Sequence, residues 1–165
     1  MSYKKGSVWL GGVGGVLIWN HSGSWIRGFT HFIGMAFRVE AELWTPRNGL
    51  MLCISLNLLA FELELDANVV LGWVFGNLNS NLHHASLIMD CRSLINQIPQ
   101  VKMKHYFCEV NKCVDFLAKR GSSSSHDLLL FDSSPMNIYM LLFYDNVGLY
   151  YERQWLCTLD LFSFC

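Results

Sequence analysis

The sequence carries no aspartate or glutamate before Glu40, and only 15% of its 165 residues are charged. Twelve Lys and Arg against thirteen Asp and Glu leave a formal charge of -1, so no overall positive field marks the chain as a binder of polyanions. No run of 18 apolar residues occurs, which argues against a membrane span. The six cysteines, at 53, 91, 108, 113, 157 and 165, show neither CxxC pairing nor the density of a small secreted scaffold, so they are expected as reduced thiols. Lys4 and Lys5 precede the apolar stretch Val8 to Trp19, but four glycines interrupt it and no small-x-small cleavage site follows, so no signal peptide is expected. The glycines themselves, in GGVGG from Gly11 to Gly15, lack the GxxxxGK[ST] arrangement of a phosphate loop and lead into a strand.

What the sequence does have is 52% hydrophobic residues, enough for one substantial core. Val16 to Trp19 and Trp25 to Phe29 flank the turn residues Asn20-His21-Ser22-Gly23, which predicts an antiparallel hairpin. Val39, Leu43, Leu50, Ile54 and Leu58 recur at roughly helical spacing. Pro46 inside that stretch predicts a separate first turn or a kink. In Leu58 to Asp66, Phe61, Leu63 and Leu65 alternate with Glu62, Glu64 and Asp66, the pattern of a half-buried strand ending on an acid. Asn68 to Phe75 is a short candidate helix. His83 to Ile98 is the best amphipathic one, with Leu87, Cys91, Leu94 and Ile95 on its core face and Asp90 and Arg92 outside it. Val101 to Phe107 alternates as a strand, and Asn111 to Lys119 reads as a helix that places Asp115 in its first turns, with Asn111 as candidate cap. Pro135 to Asp145 could close the chain as a last helix, and Trp155 to Cys165 has one charge and no clear period. This order predicts an α/β layer fold with a mixed sheet.

Glu42 on the first helix, Asp66 at a strand end and Asp115 near a late helix start could converge at the carboxyl edge of such a sheet. Oxygen ligands there could hold two magnesium ions about 3.5 to 4 Å apart. Taken alone, three acids in an α/β domain are more simply explained by surface solvation.

The segments line up with a known family. AELWTPRNGL from Ala41 resembles the helix-opening segment of plant ribonuclease H-like domains, found alone or at the end of non-LTR retroelement reverse transcriptases. GVGGVLIWNHSGSWIRGF from Gly12 resembles their glycine-rich second strand and hairpin, and LELDA from Leu63 the strand carrying their third carboxylate. HHASLIMDCRSLINQI from His83 is similar to their long middle helix. HYFCEVNKCVDFLAKRG from His105 is similar to the segment ending in their fourth carboxylate, and Pro135 to Arg153 to the tail of the plant group.

The resemblance implies a ribonuclease H-like three-layer α/β fold with a mixed five-stranded sheet over residues 1–153, followed by an irregular tail at 154–165. It implies Glu42, Asp66 and Asp115 as metal-ligating catalytic carboxylates and His105 as a proton-shuttling histidine. Glu40 and Glu64, the rivals of the first two, are expected in structural support or solvent contact. The implied cofactor is a pair of Mg2+ ions, and the implied partner is nucleic acid in the form of an RNA/DNA hybrid, in a nuclear or cytoplasmic setting. The departures are equally specific. The family opens with a central strand ending in an aspartate that bridges the two ions, and here that strand is expected to be missing or degenerate. Trp19-Asn20 and Cys108 stand where arginine is usual, removing charges that could meet phosphate. Impaired hybrid cleavage, or an inactive nucleic-acid-binding remnant, is the expectation that follows.

Overall fold

The computed structural model describes residues 11–20, 24–35, 38–65, 67–76, 82–105, 116, 117, 119, 120, 127–140 and 157–163. The branched and aromatic residues after the glycines form the expected hairpin, with β1 (Gly11–Asn20) antiparallel to β2 (Trp25–Met35). Both strands run well past the bounds predicted from the sequence. At the turn, Asn20 Oδ1 accepts from the Ser24 amide at 2.9 Å.

Helix α1 (Arg38–Ser55) is continuous through Pro46, so the predicted separate turn is not found. Proline removes only the amide that would have met the Glu42 carbonyl, and the remaining ladder carries the helix on. Thr45 adds a hydroxyl bond to the Ala41 carbonyl at 2.9 Å. Asn57, at φ 54, ends the helix in the left-handed region. The amides of Asn57 and Leu58 then close on the carbonyls of Ile54 and Cys53 at 2.9 and 3.0 Å, the paired bonds of a Schellman cap.

β3 (Ala60–Leu65), α2 (Asn68–Val74), a single 3-10 turn (Leu82–His84), α3 (Ala85–Asn96) and β4 (Gln100–His105) follow in order. β3 and β4 pair in parallel across this helical crossover. Arg92 on α3 donates to the carbonyls of Trp73, Val74 and Gly76, which caps the end of α2 with a cation and fixes the two helices together. Among the described residues no helix is long and apolar enough to cross a membrane.

Three expectations need correction. First, among the described residues the sheet has six strands, where five including a missing or degenerate first strand were expected, in the order β4-β3-β6-β1-β2-β5. The members not read from the sequence are β5 (Leu128–Phe131), antiparallel to β2, and β6 (Cys157–Ser163). Second, the stretch expected as an irregular tail holds β6. That strand lies at the sheet centre, antiparallel to β1 and parallel to β3, so the expected boundary at 153 falls within one sheet. An apolar run with one charge has no local period, and only distant partners make it a strand. Third, β3 is buried on both faces: Phe61, Leu63 and Leu65 are joined in burial by Glu62 and Glu64. Alternation predicts a solvated second face, but strands near the centre of a layered sheet are covered on both sides.

The main core lies between the sheet and α1, α2 and α3. Val16, Ile18, Phe29, Phe61, Leu63 and Leu65 meet Leu43, Leu50, Cys53, Val70, Val74, Ile88 and Cys91 there. A smaller cluster of Leu17, Trp19, Leu117 and Ile138 occupies the other face, where residues 116, 117, 119, 120 and 136–140 supply helical cover. These are the three layers expected from the element order.

Candidate functional site

Strand direction gathers several segment ends at one edge of the sheet. β3, β4 and β6 run in parallel and end there, at Leu65, His105 and Ser163. β1 runs the other way and begins there, with Gly14 opposite Ser163. β2 reaches the same edge at Met35, opposite Gly11, and α1 begins just after it. Gly14 is where α1 comes down on the sheet: a Cβ at this position would run into Thr45 Oγ1. The first half of α1, which carries Glu42 one turn before Thr45, is thereby held over this edge.

Of the four residues singled out in the sequence, two are described. Glu42 lies in the first half of α1 and is 8% exposed. His105 ends β4 and is half-buried, directly across from Leu65, the residue before Asp66. Asp66 and Asp115 lie outside the described residues. Phe116, Leu117, Lys119 and Arg120 are helical, which agrees with the late helix expected over this stretch, while Asn111 as its cap is likewise outside. Of the two rivals, Glu64 is 1% exposed and therefore not the solvent-facing residue that was one of its two expected roles, while Glu40 stays half-exposed in the first turn of α1. Among the described residues no three His, Cys, Asp or Glu side chains form a group that could hold a metal ion.

The charged groups around the edge are arranged by partner and burial. On the edge strand β4, Lys104 Nζ meets Glu62 Oε1 at 2.6 Å. The second oxygen of Glu62 is buried without a hydrogen-bond partner among the described residues. Arg47, further along α1, bonds Asp90 at 3.0 Å and lies 5.0 Å from the Trp44 ring centre. An open pocket of about 440 Å³ beside α1 is lined by His31, Phe32, Ile33, Trp44 and Asp127. His31 Nδ1 is 2.8 Å from Asn48 Nδ2, and burial lowers its pKa while Asp127 pulls the other way. No sequence signal marked this pocket, because His31 and Trp44 come together only across the strand and helix. Cys91 is buried as expected from its helical position, and burial pushes its thiol up to about 12, against the opposing pull of Arg47. A thiol held neutral is a poor metal ligand, so Cys91 belongs to the core.

Comparison with known proteins agrees with this architecture. The model of a family described as reverse transcriptase-like matches residues 7–121. An Arabidopsis thaliana protein named as a ribonuclease H is 29% identical over 145 residues, which is 88% of this chain and 23% of that protein. The chain thus spans about a quarter of the length of that relative. Among solved structures, ribonuclease H1 of Halobacterium salinarum superposes with a TM-score of 0.64 at 18% identity, over 73% of this chain and 91% of that one. The N-terminal RNase H domain of a Mycobacterium tuberculosis protein, solved as a fusion with maltose binding protein, gives 0.52 at 15% identity, over 66% and 91%. At these identities the structural matches speak for the fold.

Proposed function

Because this chain belongs to the reverse transcriptase-like family and has a ribonuclease H-like fold, we propose that it binds nucleic acid and hydrolyses the RNA strand of an RNA/DNA hybrid. The observation that supports the reading is the sheet edge itself: β3, which leads into Asp66, and β4, which ends on His105, finish side by side there, and α1, which carries Glu42, is seated on Gly14 at the start of β1. Asp115, next in sequence to the helical residues Phe116 and Leu117, is the fourth residue assigned to the site.

Carboxylate oxygens are hard donors and suit a hard divalent cation such as magnesium, so Glu42, Asp66 and Asp115 would hold it. When bound, such ions activate water and neutralise charge at the leaving oxygen. Glu42 lies on a helix seated on Gly14, so the backbone that carries it is held in place before any substrate arrives. His105 would exchange a proton at a ring nitrogen with the attacking water or the leaving 3'-oxygen, a transfer that imidazole performs near neutral pH. Activity is expected to be weak, since Trp19-Asn20 and Cys108 stand where the resembled family usually carries arginines that could meet phosphate. An inactive nucleic-acid-binding domain is the second reading, favoured by the same altered positions.

A hybrid-cleavage assay with and without Mg2+ tests both. The expected result is Mg2+-dependent cleavage of the RNA strand that Asp66→Asn lowers by more than the roughly 10–100-fold typical of changes around a metal's outer shell. Hybrid binding with no cleavage by the parent would establish the second reading. Cleavage unchanged in Asp66→Asn would overturn the site.

A further inference from the structure

We propose that β6 serves as the central strand of the functional domain and that Asp160, the one charged residue it carries, is a carboxylate of the proposed site. The inference rests on the nuclease reading above. Remove β6 and no pairing links β1 to β3: the sheet falls into β4-β3 on one side and β1-β2-β5 on the other. Its seven residues are therefore the keystone of the sheet, antiparallel to β1 over Gly14–Asn20 and parallel to β3 over Glu62–Leu65.

Asp160 stands in register between Leu17 on β1 and Glu64 on β3. A sheet centre is where an apolar residue stabilises most, and like charges at directly opposed positions destabilise. The chain nevertheless places an acid opposite Glu64, which is 1% exposed. Such a local expense at a central position is what a functional site imposes on a fold. Glu64 precedes Asp66 by two residues, so Asp160 stands ~7 Å along the strand direction from the level of Asp66. β6 also ends beside Gly14, under the first half of α1. A residue from far down the chain is in this way placed by register at the sheet centre, beside the strand that leads into Asp66.

Two measurements on the full chain test the proposal. Asn20 pairs in register with the native Cys157. Neighbouring antiparallel positions are about 4.5–5.5 Å apart at Cα, within disulfide reach. Asn20→Cys should therefore form an intramolecular disulfide with Cys157 under mild oxidation, found by peptide mass mapping of the monomer, and Asn20→Cys with Cys157→Ser should not. Failure of the cross-link would overturn the placement of β6. The second measurement is the rise in Tm caused by Mg2+, read alongside hybrid cleavage. The parent should show both, while Asp160→Asn, in the background that still cross-links, should lose the Mg2+-induced rise and most of the cleavage. Retention of both in Asp160→Asn would overturn the role of Asp160 and leave the nuclease reading standing. A parent that cross-links but neither responds to Mg2+ nor cleaves would overturn the nuclease reading and the role of Asp160 together, with β6 confirmed in place.

Discussion

On the face of the sheet covered by α1 and α3, apolar side chains meet apolar side chains: Phe61, Leu63 and Leu65 from β3 pack with Leu43, Leu50, Cys53, Ile88 and Cys91. On the opposite face the alternate residues of the same strand are Glu62 and Glu64, equally buried, and the apolar cluster on that face holds four buried side chains among the described residues. One strand thus contributes packing on one side and charge on the other. The difference teaches that burial has two meanings in this domain. On the first face it supplies the free energy of folding, at roughly 25 cal/mol per Å² of apolar surface. On the second it desolvates carboxylates, a cost that the first face offsets.

The largest expected effect tests the apolar face. Phe61→Ala should destabilise the domain by about 3–5 kcal/mol, the range for deleting a buried aromatic ring, measured by urea unfolding. A loss below about 1 kcal/mol would mean that this face is not close-packed. A smaller effect is expected from the charged face. Lys104 is 44% exposed while Glu62 is 3% exposed, so removing the lysine strands a buried carboxylate. Lys104→Ala should cost about 1–3 kcal/mol after allowance for solvent screening, and distinctly less when Glu62→Gln is already present. Additivity in that cycle would show that the pair is not coupled.

The smallest effect lies at the rim, at His31. Burial holds its folded-state pKa below the ordinary 6.5, with Asp127 opposing. The unfolded chain therefore takes up the proton first. The stability this residue contributes is present above pH 6.5 and is lost as pH falls from there toward the lowered folded value. Its bond with Asn48 acts the same way, because a protonated ring cannot accept from the Asn48 amide. His31→Gln should flatten the fall in Tm between neutral and mildly acidic pH. An unchanged slope would assign that titration to other groups.

The apolar face was legible in the sequence, because its elements carry their own period. The core positions Leu43, Leu50 and Cys91 sit at helical spacing, and Phe61, Leu63 and Leu65 at strand spacing, so the elements follow from local pattern. α3 was read to within about two residues at each end, a margin usual for fraying helix ends. The second face was not legible. Glu62 and Glu64 read as the outer face of a half-buried strand, because nothing near them in sequence announces a second covered face. β5 is four residues without alternation, and β6 is a strand only by virtue of β1 and β3, more than ninety residues away. Of the site, the positions of Glu42 and His105 follow from strand order and helix register. The entry of Asp160 depends wholly on non-local pairing, which no window of sequence can contain.

The place of β6 in the chain also sets an order in time. During synthesis the hairpin of β1 and β2, then the β3-α2-α3-β4 crossover, can each form as soon as its residues have emerged. Until residues 157–163 are made, two inner strands keep bare amide and carbonyl rows facing each other across an open slot. For that interval the nascent chain offers any passing extended segment the same pairing that β6 will take. Efficient production should therefore favour conditions that shorten the interval or shield it, such as lower expression temperature or a holding chaperone.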